Sequence, residues 1–168
     1  RILLGAGSIV LILHTTACLN LGERLGKALG AAVAGQEDPK LVAAALPSYL
    51  LALDAAIVDD PESDSTLYAG AKLYSGFAGQ FAETPERAVL AADRAWDYAQ
   101  RALKISHPEL YKTYQQDLEI YQNQLLKLDQ DDVPNLHTFT TAWATWIQAH
   151  NAGGETDWSA AADLPKIT

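Results

Sequence analysis

The apolar residues of this chain recur at helical intervals along most of its length. Leu67, Ala71, Tyr74, Ala78 and Phe81 follow one another at steps of four, three, four and three. That spacing lines one face of a helix. Ala88, Ala91, Ala95, Ala99 and Ala102 do the same over the next stretch, with Trp96 and Leu103 beside them. Tyr111, Tyr114, Leu118, Tyr121, Leu125 and Leu128 alternate steps of three and four, which predicts a helix over 108–128 with a narrow heptad seam. Leu136, Phe139, Trp143, Trp146, Ile147 and His150 share the broad side of a further helix. No segment alternates with the period of two that a strand needs, and no Asn-Gly or Asp-Gly hairpin signal occurs.

Prolines behind capping residues divide these patterns. Asp38-Pro39 opens a short helix to about Leu46, and Pro47 opens the next, which Asp59-Asp60-Pro61 ends. Asp64 or Ser65 caps the following helix, Thr84-Pro85 starts another, and Ser106-His107-Pro108 stops it. Asp131-Asp132-Val133-Pro134 is a further break, Gly153-Gly154 a turn, and Thr156 or Asp157 caps a last short helix that Pro165 stops. The fold class is therefore all-α, built of antiparallel helical hairpins, because helices with short connections pack against their neighbours. The stretch 64–108 resembles a tetratricopeptide (TPR) unit, longer than the usual one, so the expected architecture is a TPR-like α-solenoid.

Composition narrows this picture. The chain has 168 residues, enough for one domain with a full core, and 49% are hydrophobic, so it folds. A net charge of −9 with scattered Lys and Arg disfavours nucleic acid as a partner. The one cysteine, Cys18, excludes an internal disulfide.

Cys18 follows the uncharged run Ile2–Leu13 and the small residues Thr15, Thr16 and Ala17. The run is too short to span a membrane, which takes about 20 apolar residues. It has the shape of a signal-peptide core behind a positive Arg1. Residues 1–17 are therefore read as a signal peptide, and Cys18 as the site of lipid attachment that tethers residues 18–168 to a bacterial membrane on the periplasmic side. The plainer alternatives are a buried N-terminal helix with an inert thiol, and ordinary cleavage after Ala17.

No catalytic motif is present: neither HExxH, nor Cys-x-x-Cys, nor a nucleophile elbow, nor a phosphate loop. No cofactor and no metal is expected, and the acidic pairs before prolines read as caps. What stands out is aromatic content on helix faces. Tyr68, Lys72 and Phe77 lie off the apolar seam of their helix and are candidates for a partner surface, since TPR-like helices present such a face. Trp143 and Trp146, about 60° apart around one helix, either line a cavity or pack the core, and core packing is the more ordinary role.

A resemblance adds to this reading. Leu50-Leu51-Ala52-Leu53-Asp54, Leu73-Tyr74, Pro85-Glu86-Arg87-Ala88, Asp97-Tyr98 and Arg101-Ala102-Leu103 resemble the T component of TPR-associated TRAP transporters (TatT-like proteins). So do Trp143, Trp146-Ile147, Asp157-Trp158 and Asp163-Leu164-Pro165. The resemblance implies a non-enzymatic periplasmic lipoprotein, often a homotrimer, that binds the solute-binding P subunit and hands over a hydrophobic or carboxylate ligand. Members of that family continue past this point, so residues 18–168 correspond to the N-terminal part of the family domain. The alternative is a generic TPR-like envelope scaffold for another protein partner.

Overall fold

The computed structural model describes residues 30–33 and 35–151. They contain helices and turns and no strand. The signal peptide, Cys18 and the segment from Gly153 to Pro165 lie outside the described residues. The chain divides into two compact units, residues 1–44 and 45–168.

In the first unit, residues 30–33 are helical and a turn leads to Asp38. The Asp38 carboxylate accepts from the backbone N–H of Lys40 at 2.9 Å and of Leu41 at 3.3 Å. It thereby caps α1, Pro39–Asp59. The expected break at Pro47 does not occur, and α1 runs through it. A proline inside a helix removes one ladder bond and usually bends the axis, but it does not have to end the helix.

The second unit begins within α1, at Ala45, so that Leu53, Asp54 and Ile57 belong to it, and it holds all the later helices. α2 is Asp64–Gln80, α3 Pro85–Ser106, α4 Pro108–Thr113, α5 Leu118–Leu125 and α6 Val133–Asn151. Ser63, one residue before the expected cap, starts α2: its Oγ accepts from the Thr66 N–H. Thr84 Oγ1 accepts from the Arg87 N–H and starts α3, with Pro85 in the first turn. α2 and α3 form an antiparallel hairpin. Tyr68 near the start of α2 meets Ser106 at the end of α3, and Phe77 near the end of α2 meets Arg87 near the start of α3. α6 packs on both, and it too runs against α3: Asp93 meets Trp146 and His150, while His107 meets Asp132.

The expected single helix over 108–128 is two short ones, α4 and α5, with a turn between them. Asp117 is extended there, at φ −53° and ψ 142°. Tyr114 and Tyr121, on either side of the break, are both buried in the core, as their shared seam implies.

That core lies between α2, α3 and α6. Leu67, Leu103, Tyr121, Phe139 and Trp143 are its largest fully buried side chains. Each contributes roughly 1.5–3 kcal/mol by leaving water. The alanines at 91, 92, 95, 99 and 102 are also buried, and they let the neighbouring helices come close to α3. α1 is the one helix among the described residues long and apolar enough to cross a membrane, at mean hydropathy 2.0. Its Ile57 is part of the core, with Leu53 packed against it, whereas Leu41, Leu51 and Val58 are exposed and 22% of the apolar stretch is buried.

Candidate functional site

The carboxylate of Asp54 on α1 is held between two tyrosines from different helices. Tyr74 of α2 donates its hydroxyl to Oδ2 at 2.7 Å, and Tyr98 of α3 donates to Oδ1 at 2.6 Å. The two rings meet edge to face, 5.9 Å apart. Burial, then the hydrogen bond and charge of Asp54, push the Tyr98 phenol up from 10 to about 12. The same causes push Tyr74 further up. Both hydroxyls therefore stay protonated and act as donors, not as bases or nucleophiles. Gly70 makes room for this junction: a Cβ there would lie 2.7 Å from Tyr98 Cδ2 and 3.0 Å from Ile57 Cδ1.

Next to the junction, between α2 and α3, is an open depression of about 330 Å³. Tyr74 and Phe77 line it from α2, and Arg87, Leu90, Ala91 and Arg94 from α3. Arg87 lies over the Phe77 ring at 5.5 Å and pairs with Glu83 at 3.3 Å. Arg94 lies 5.8 Å from the centre of the Tyr98 ring. Burial would lower its pKa, but Tyr98, Asp54 and Tyr74 outweigh that and raise it, so the guanidinium is firmly charged. Leu90, between the two arginines, is 70% exposed.

The residues singled out in the sequence are scattered over this frame. Tyr68 is not a surface residue. Only 5% of it is exposed, and its hydroxyl is 2.9 Å from Ser106 Oγ. Burial pushes its phenol up to about 12. Phe77 is buried at 6% exposure rather than standing clear of the core, although one side of it lines the depression. Lys72 is exposed and is not among the lining residues. The apolar seam through Leu67, Ala71 and Tyr74 does face the core, but the buried face of α2 is broader and takes in Tyr68 and Phe77, because α2 is covered by α6 as well as by α3.

Trp143 is 1% exposed and stacks on Trp96 at 5.4 Å, with Phe139 and Tyr114 edge-on to it. Trp146 is half-buried, donates Nε1–H to Asp93 Oδ1 at 2.9 Å and packs on the His150 ring. The two indoles serve different surroundings and do not share a cavity wall. Among the described residues no group of three His, Cys, Asp or Glu could hold a metal ion.

Sequence reasoning gave no site role to Asp54, Leu90, Arg87 or Arg94, although Asp54 and Arg87 stand among the residues that carry the family resemblance. The arginines carried a signal: Arg87, Arg94 and Arg101 are each seven residues apart, which places them on one line of a helix. The pairing of Asp54 carried none, since its partners stand 20 and 44 residues away.

A family model described as TRAP transporter T-component matches residues 35–168. No curated protein and no solved structure matches the chain.

Proposed function

Because the chain belongs to the TRAP transporter T-component family, we propose that it is a non-enzymatic accessory component that docks the periplasmic solute-binding P subunit of such a transporter. The match over residues 35–168 carries this reading, since it takes in every helix of the second unit. The antiparallel α2–α3 hairpin supports a TPR-like solenoid, in which helix pairs stack and present a continuous face to a partner. Lipid at Cys18 tethers the domain to a membrane, residues 1–17 being the removed signal, and assembly is as a homotrimer. A hydrophobic or carboxylate ligand passes between this component and the P subunit.

A pull-down from an envelope extract with the full chain tests the docking. Recovery of a solute-binding P subunit supports it, and recovery of a different envelope protein alone favours a general scaffold. Labelling with palmitate tests the tether. Label should enter the wild type and be lost in Cys18→Ala, and label that survives this change rules the anchor out.

A further inference from the structure

All three arginines among the described residues stand on one line of α3, at 87, 94 and 101. Seven residues are nearly two turns, so consecutive guanidinium groups leave the helix on the same side, about 10.5 Å apart along the axis. Each lies over an aromatic ring: Arg87 on Phe77 at 5.5 Å, Arg94 and Arg101 on Tyr98 at 5.8 and 5.6 Å. Rings under the guanidinium groups limit their freedom and leave their edges for hydrogen bonding.

Two of the three are held in ion pairs within the chain. Arg87 pairs with Glu83, and Arg101 pairs with Asp97 and donates to the carbonyl of Pro61. Arg94, the middle one, makes no ion pair among the described residues, though it lies beside the Tyr98 hydroxyl and feels the charge of Asp54, and it lines the depression. Leu90 protrudes between Arg87 and Arg94. Arg87 and Arg101 each share their charge with a carboxylate four residues earlier, so the positive charge of the row centres on Arg94, beside the exposed Leu90, on a chain of net charge −9.

We propose that this arginine row and the α2–α3 groove beside it receive an acidic helix of a protein partner. That helix carries Asp or Glu at i and i+7, reaching Arg87 and Arg94, and an apolar residue at i+3 or i+4 that packs on Leu90 and Phe77. The heptad spacing of the arginines is the spacing a second helix lying along α3 would offer, and the charges are complementary. Planar guanidinium forks suit carboxylates in particular. That the partner is the P subunit rests on the accessory role proposed above; the chemistry of the row does not.

The probe is a synthetic amphipathic peptide with Glu at i and i+7 and Leu at i+3, titrated against the full chain by fluorescence anisotropy. It should bind, weaken as salt is raised, and lose about fivefold or more in affinity to Arg94→Gln. A peptide with Lys in place of each Glu should prefer the double variant Arg87→Glu, Arg94→Glu over the wild type. Circular dichroism of each variant reports that the helices are intact. Failure of the wild type to bind the Glu peptide, or equal binding by Arg94→Gln, overturns the arginine row. A second titration uses the P subunit. Binding that Arg94→Gln weakens supports the row as its dock. Binding that the variant retains in full overturns that assignment and leaves the accessory role standing. No binding to the wild type overturns the P-subunit docking itself, while the peptide titration still decides the row.

Discussion

At the scale of single residues, Asp54 does more than its position on an apolar helix suggests. It is the one acceptor for two tyrosine hydroxyls from two other helices, and Tyr98 is only 3% exposed. Asp54→Ala leaves both donors without this partner and should lower stability by roughly 1–3 kcal/mol, read from urea midpoints. Asp54→Asn keeps one oxygen acceptor and should lose less. The buried phenols of Tyr98, in this junction, and Tyr68, beside Ser106, predict an alkaline limit. Folding raises the Tyr98 and Tyr68 phenols from 10 to about 12. The folded state thus favours their protonated forms. Their contribution is complete below pH 10 and is lost as the pH climbs toward 12. Phenolate absorbance near 295 nm from the buried tyrosines should therefore rise only well above pH 10, together with unfolding. Ionisation of Tyr68 and Tyr98 near pH 10 with the helices intact would contradict the buried hydroxyl contacts.

At the scale of elements, α2 offers a controlled comparison. Gly70 faces Tyr98 at 2.7 Å for an added Cβ, whereas nothing lies within 4 Å of one at Gly76. Gly70→Ala should therefore cost about 1–2 kcal/mol net, overpacking exceeding the gain in helix propensity. Gly76→Ala should instead stabilise by about 0.5–1 kcal/mol. Thermal melts of the two variants should move in opposite directions. Helix starts were largely legible in the sequence. Asp38, Thr84 and the prolines after them act locally, through one side-chain bond and one fixed dihedral, and the structure follows them. Pro47 was misread because a proline that opens one helix is locally indistinguishable from a proline carried inside another. The break at Asp117 was hidden for the converse reason. The three-and-four rhythm of Tyr114, Leu118 and Tyr121 continues across it, and neither Gly nor Pro marks the turn. The groove was less legible than the helices. Its aromatics were visible as helical stripes, but which side of α2 is covered depends on α6, far along the chain.

At the scale of the whole molecule, three helices share one aromatic centre in which Trp96, Tyr114, Phe139 and Trp143 touch one another. Trp143→Ala should remove about 3–5 kcal/mol of stability. Trp146→Ala should remove less, because that ring is half-buried and held from one side by Asp93. In single-tryptophan variants, Trp143 should emit at short wavelength and resist acrylamide, and Trp146 should be quenched more. Strong quenching of Trp143 in the folded protein would mean that the centre is open. The same arrangement has a consequence for the order of events in folding. α2 and α3 are neighbours in the chain and find each other quickly, but the side chains that seal them arrive with α6; the bond between Asp93 and Trp146 closes a loop of 53 residues. Until Val133–Asn151 has been synthesised and has docked, the rings of Trp96 and Tyr114 have no Phe139 or Trp143 to cover them. A growing chain therefore passes through an interval in which its most adhesive surface is bare, and its exposure to misassociation is set by how long that last helix takes to arrive.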